Sequence, residues 1–311
     1  MPFTILEIVQ RCNSVASAEF VAETEGHYQF KHESRLVGLV SAADITALEK
    51  ACAEHSQGAV FDIDHSAKAM RFSETLKDSQ SRSRAVAELL AEMRTKQSWK
   101  SLRKWRDELY PIYGDSGAVV AMVERAASYN FGLRTFGVHI NGIVKDAKNG
   151  ETRMWVARRA PTKQTWPGYL DQVVAGGIGD GMGPRESVIK ECAEEGGIPE
   201  QLAQGARCAG TIQYFARSEL GLQPETQYVY DLELPLDFVP KPTDGEVQEF
   251  YLWTLDEVID RVRQGLFKPN CALCVVDFLI RHGYLTPENE PDYLAIIDNI
   301  HCALPFPGPS T

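Results

Sequence analysis

The sequence predicts an α+β fold in two parts: a mixed sheet with flanking helices over residues 115–311, preceded by a smaller α/β region over 1–114. Three observations carry this expectation. Five β-rich runs cluster between residues 136 and 253, a helical tail follows them, and the turn cluster "YGDSG" (113–117) interrupts the chain ahead of them.

In the first part, "ADITALEKACAEH" (43–55) has apolar residues at helical spacing. "AVAELLAEMRTKQSWKSLRKWRDELY" (85–110) predicts a longer amphipathic helix or a pair of them. Trp99, Leu102, Trp105 and Leu109 form its apolar stripe, and Lys96, Lys100, Arg103 and Lys104 a basic one. Such a basic face is ordinarily solvated; the sharper alternative places it over a substrate site. Beyond the turn cluster, "AVVAMVERAASY" reads as a helix. "FGVHINGIV" (136–144) and "TRMWVARR" (152–159) read as strands of a hairpin whose turn is "KDAKNG". "GTIQYFA" (210–216), "TQYVYDLEL" (226–234) and "EFYLW" (249–253) are further strands. "TLDEVIDRVRQG", "CALCVVDFLIRHG" and "PDYLAIIDNIHCAL" are the terminal helices.

Composition removes several classes of function. With 32 basic and 43 acidic residues the net charge is -11, which argues against a general nucleic-acid binder. Small phosphorylated ligands remain open, because a divalent cation supplies the missing positive charge. Seven cysteines at irregular spacing make no disulfide framework and point to a reducing compartment. The first twenty residues lack the pattern of a secretory signal, and no long apolar run approaches a membrane span. A cytoplasmic protein without membrane partners is expected. The pair in "CALC" (271–274) sits in an apolar helical run and reads as buried thiols rather than a zinc site.

The densest motif is "GGIGDGMGPRESVIKECAEEGGI" (176–198), a glycine-rich turn running into a helix with Glu191, Glu194 and Glu195 on one face. Like charges so placed repel one another, so a solvated acidic patch is the plain reading. Converging carboxylates after a glycine turn are also what Mg²⁺ or Mn²⁺ requires, since hard cations take oxygen ligands. Neither GxxxxGK[ST] nor GxGxxG occurs here.

This stretch resembles the Nudix box, G-x5-E-x7-R-E-U-x-E-E-x-G-U with U a bulky aliphatic residue. Gly176, Glu191, Glu194, Glu195, Gly197 and Ile198 fall in register, while Met182 and Lys190 stand where a glutamate and an arginine are expected. The resemblance implies a Nudix α/β/α sandwich with a mixed sheet. It also implies a Mg²⁺- or Mn²⁺-dependent hydrolase with Glu191, Glu194 and Glu195 as ligands, joined by the carbonyl of Ala175. The two departures put the number of metals in question.

"WVARRAPTKQTWPGYLDQVVAGG" (155–177) is similar to a narrower branch, the Nudix domain fused to fungal thiamine pyrophosphokinase and its stand-alone relatives. Its K-x-T-x-P-G-x-L-D run falls on Lys163, Thr165, Pro167, Gly168, Leu170 and Asp171, and "WRDELYPIYG" (105–114) belongs to it too. Members are associated with hydrolysis of thiamine diphosphate and its oxo and oxy analogues to the monophosphates. A small-molecule diphosphate is therefore the expected partner, with a homodimer as the assembly to test.

Such chemistry asks for a cation that screens phosphate and a carboxylate that takes a proton from water. Glu191, Glu194, Glu195, Glu246 and Glu249 are the catalytic candidates. Arg158, Arg159 and Lys163 are suited to phosphate, and strand alternation directs only one of the two arginines inward. Trp155, Trp166 and Tyr214 are candidates for stacking on a ring, although aromatics in strands commonly serve the core. Three other readings stand beside this one: a nucleoside diphosphate derivative as substrate, an isopentenyl diphosphate isomerase, against which "LDQVVAGG" lacks the cysteine such an enzyme needs ahead of the box, and a catalytically inactive binding module.

Overall fold

A computed structural model describes residues 2–15, 20–55, 58–146 and 150–310. The first helix, α1 (Ile5–Cys12), is capped by Thr4 and Glu7 and buries Ile5, Ile8, Val9 and Cys12, the i, i+3, i+4, i+7 pattern of a one-faced helix. After α2 (Phe20–Gly26) come β1 (Tyr28–His32), β2 (Arg35–Val40), α3 (Ala42–Glu54), β3 (Phe61–Asp64), β4 (Ala69–Phe72) and α4 (Ser79–Thr95). The four strands make a sheet in the order β2-β1-β4-β3. Phe30, Leu48, Met70, Leu89, Leu90 and Trp99 form its core against α3 and α4.

Two expectations in this region are corrected. The stretch 85–110 is not one long helix. It ends at Thr95, the chain turns through Gln97 at φ 52°, and only a short 3₁₀ turn, Ser101–Lys104, follows. Trp99 and Leu102 are buried, but Leu109, at 41% exposed, lies on strand β5 (Leu109–Tyr113), so the apolar stripe is not continuous. "AVVAMVERAASY" begins as a strand, β6 (Val119–Glu124), then passes through a 3₁₀ turn into α5 (Ser128–Phe131). Ladder pairing with β5 and burial of Val120, Ala121 and Val123 override the modest helix preference of its Ala, Met and Glu. The turn cluster expected to divide the chain joins these two paired strands.

The remaining strands are β7 (Thr135–Lys145), β8 (Thr152–Arg159), β9 (Leu170–Asp171), β10 (Val174–Gly177), β11 (Arg207–Ser218), β12 (Gly221–Glu233) and β13 (Val247–Thr254). They form a mixed sheet, β11-β12-β7-β8-β13, in which β12 runs parallel to β7. The β7–β8 hairpin is present, with Asp146 bonded to Gly150 and Glu151; residues 147–149 of its turn lie outside the described residues. Helices α6 (Pro184–Gly196) and α7 (Glu200–Ala203) belong to one side, where Val138, Ile140, Trp155, Val188 and Cys192 pack together. Helices α8 (Leu255–Arg263), α9 (Pro269–Arg281) and α10 (Tyr293–Ile300) cover the other side, joined by α1. This is an α+β fold, an α/β/α sandwich preceded by a separate α/β unit.

One feature of the sheet makes room for a site. Strand β7 pairs with β10 along Gly137–Ile140 and with β8 only along Gly142–Lys145. The exchange of partners leaves β8 and β9 to diverge from β10.

Candidate active site

A cavity of about 700 Å³ opens there, between β7, β10, α6 and the N-terminal unit. The helix that supplies its acids starts well: Pro184 occupies the first turn, and Glu186 accepts from the Gly183 N–H at 2.9 Å. Gly176 is where this helix meets β10. A Cβ there would come within 2.2 Å of the Glu191 side chain, so only glycine lets that carboxylate lie over the strand.

Glu195, 8% exposed, accepts from the Ala175 N–H at 3.0 Å. Its oxygens converge with those of Asp244 and Glu246, all within 4.8 Å of one another. The loop bearing Asp244 and Glu246 is docked on the end of α6. Thr243 donates its hydroxyl to the Glu194 carbonyl, and Lys241 N–H donates to Gly196 O at 2.9 Å. Burial pushes the Glu195 carboxyl well above the usual range, and Asp171, Glu191 and Glu246 push it further. Burial also raises Glu191, against the pull of Lys190. Burial raises Glu246 too, but the Lys163 ammonium outweighs it and holds this carboxyl below its ordinary value. Acids gathered so closely with too few cations are suited to a hard divalent cation, whose charge would reverse the repulsion. Glu191, Glu195, Asp244 and Glu246 fit that role.

Arg159 is committed differently. Its guanidinium donates to Asp171 at 2.7 Å and to the carbonyls of Trp166 at 3.1 Å and Thr165 at 2.9 Å. Asp171 is buried, which alone would raise its pKa, but Lys268 and Arg159 bring it down to about 2. Cys271 donates its thiol to the same carboxylate at 2.8 Å. His139, Asp171 and Cys271 come together as a possible ligand group, but two cations already balance that carboxylate. Cys274 is likewise buried, as a plain core thiol.

His139 lines the cavity and is neutral, since burial depresses its pKa to about 4. The Gln172 amide donates to Cys271 O, so its oxygen faces the ring and His139 Nδ1 donates to it at 2.7 Å. A depressed folded pKa on a base means that the unfolded chain takes up the proton first as pH falls. Stability is therefore expected to decline from pH 6.5 towards 4, by about 3 kcal/mol at most. Asp171 adds its own loss only below that window, toward pH 2. Urea unfolding of the wild type and His139→Gln at several pH values checks this. The variant should lose that part of the slope.

Of the candidate site residues, the cavity brings together Glu191, Glu194, Glu195, Glu246, Arg159, Lys163, Trp166, Tyr214 and Ala175. Three lie elsewhere. Arg158 bonds to the Tyr251 hydroxyl and Gly168 O, Glu249 accepts from that same hydroxyl, and Trp155 is packed in the core. Glu194 points outward on the rim, held by Lys190 at 2.8 Å. Of the basic face on 96–104, Lys104 reaches the cavity, where it donates to Gln164 O at 3.2 Å; Lys96 instead pairs with Glu54. Sequence reasoning missed Asp244 and His139. Asp244 stands two residues before Glu246 in the same acidic turn, which was its one visible signal.

A family model described as the NUDIX domain matches residues 136–271, and one described as a domain of unknown function (DUF4743) matches 4–135. Nudix hydrolases 20 and 24, both named chloroplastic, from Arabidopsis thaliana are 38% and 39% identical over 217 and 215 residues. The matches cover 69% and 68% of this chain and 57% of each relative. An uncharacterized protein of Saccharomyces cerevisiae, YJR142W, is 38% identical over 98% of this chain and 92% of its own length.

The chain carries a Nudix domain over residues 136–271. It is a pyrophosphohydrolase, and enzymes of this family use divalent metals.

The two departures from the Nudix box now have positions. Lys190 bridges Glu191 at 3.2 Å and Glu194 at 2.8 Å, so a point charge does the orienting that an arginine's fork would do. Met182 packs against the cluster of Val188 and Ile178 rather than lining the cavity. Met182→Glu is therefore expected to lower the melting temperature, through a partly buried carboxylate costing about 1–3 kcal/mol, with no gain in metal affinity. A thermal melt beside a Mg²⁺ titration of activity measures both; a lower Mg²⁺ requirement at unchanged stability would place residue 182 at the metal.

Proposed function

We propose that this Nudix enzyme hydrolyses thiamine diphosphate or its oxo and oxy analogues to the monophosphate and inorganic phosphate, with Mg²⁺ or Mn²⁺. The observation that carries the reading is one cavity lined both by the converging acids and by Lys163, Gln164, Thr165 and Trp166, the start of the run similar to the thiamine-associated branch. A bound divalent cation supplies charge screening of the phosphate oxygens and acidifies water.

The chain's residues do the rest. Glu191, Glu195 and Asp244 would hold the cation. Glu246 is the proton acceptor: it is ionised at neutral pH and, with its side chain 43% exposed, can meet a water. Water adds to the terminal phosphorus, the bond to the bridging oxygen breaks, and that oxygen leaves with the monophosphate. Lys163 beside Glu246 adds positive charge where the phosphate is transferred. Arg159 keeps the 165–168 loop, and with it Trp166, at the mouth of the cavity. Trp166, 40% exposed at φ 51°, offers an aromatic face to a heterocycle.

A substrate panel tests the proposal. Thiamine diphosphate or an oxo or oxy analogue is expected to give the highest kcat/KM. A tenfold preference for ADP-ribose or another nucleoside diphosphate derivative would overturn the substrate and keep the family. Binding without turnover of any compound would favour the inactive module.

A further inference from the structure

We infer that the 4–135 stretch, matched only as a domain of unknown function, is a working wall of the active site, and that its Arg106 binds an anionic oxygen of the substrate. The identity of that anion as a diphosphate rests on the function proposed above.

The wall is built in. Lys104, Arg106, Glu108, Tyr110, Arg125 and Tyr129 all line the cavity whose opposite side carries the acids. Strand β5 grips the loop that leads into α6. The Tyr110 hydroxyl lies so close to Gly177 that a Cβ there would meet it at 2.1 Å, and Asp180 N–H donates to Leu109 O at 3.1 Å. Gly177 directly follows the first glycine of the Nudix box, so the N-terminal unit touches the catalytic motif itself.

Among the cations of this cavity, several are already engaged. Lys163 pairs with Glu246, Arg159 with Asp171, Lys190 with Glu191 and Glu194, and Arg125 with Glu108 at 2.7 Å. Arg106 differs. Its backbone is fixed, with its N–H donating to Glu124 at 2.9 Å, and the residue is half-buried, yet its guanidinium has no hydrogen-bond or ion-pair partner among the described residues. Drawing a cation out of water with no counter-charge is costly unless a ligand meets it. A planar fork of donors is the side chain best matched to a phosphate.

Kinetics of the full-length chain on the best substrate of the panel, with Mg²⁺, test this. Arg106→Gln is expected to raise KM about tenfold or more, with kcat within about threefold and an unchanged melting temperature. Arg106→Lys should recover part of the loss. Should Arg106→Gln fail to fold, a raised KM in Arg106→Lys carries the test. Unchanged KM in the folded variants would overturn the inference. If the wild type hydrolyses nothing, the proposed function fails separately, and calorimetric binding of methylenediphosphonate with Mg²⁺ still decides. Affinity at least about fivefold weaker in Arg106→Gln supports the contact; equal affinity, or no binding to the wild type, refutes it.

Discussion

Glu195→Gln is expected to lower kcat by about a thousandfold while leaving the melting temperature unchanged or higher. The two effects have one cause. Glu195 is the buried member of the converging acids, and its charge is opposed by burial and by Asp171, Glu191 and Glu246. Glutamine keeps an oxygen for the Ala175 N–H and removes that opposition. It also removes the anionic oxygen a hard cation needs. Steady-state rates at saturating Mg²⁺ beside a thermal melt measure both. Activity within about tenfold of the wild type would mean that Glu195 only buttresses β10.

Arg159→Ala is expected to cost about 3–5 kcal/mol of stability, because it leaves the buried Asp171 carboxylate without its partner at 2.7 Å. The carbonyls of Thr165 and Trp166 lose their donor in the same step, so the loop over the cavity loosens and KM should rise. Arg159→Lys should recover only part, since one ammonium cannot reach three acceptors arranged around a fork. Urea unfolding gives the number; a loss under about 1 kcal/mol would show that Lys268 alone carries Asp171.

Five of the seven strands of the larger sheet were legible because β-branched and aromatic residues recur along them, but the short β9 and the glycine-ending β10 were not; the α6 acids were legible because i, i+3 and i+4 fall on one face. Strand β6 was not, since its Ala and Met favour helix locally and only the ladder with β5 decides against it. Alternation restricts one of Arg158 and Arg159 to the interior but does not say which. The pairing of Arg158 with Leu170, which turns Arg159 toward Asp171, is set by strands eleven or more residues apart. Asp244 joins Glu195 only because Thr243 and Lys241 bond to the end of α6, some fifty residues earlier. Arg106 depends on a contact between units that no local pattern records.

Mn²⁺ binding, followed by electron paramagnetic resonance in the wild type, Glu195→Gln and Asp244→Asn, addresses the site most directly. Mn²⁺ is expected to bind the wild type, with an affinity weaker by about tenfold or more in both variants. Equal affinity in all three would contradict it and move the metal away from the end of α6.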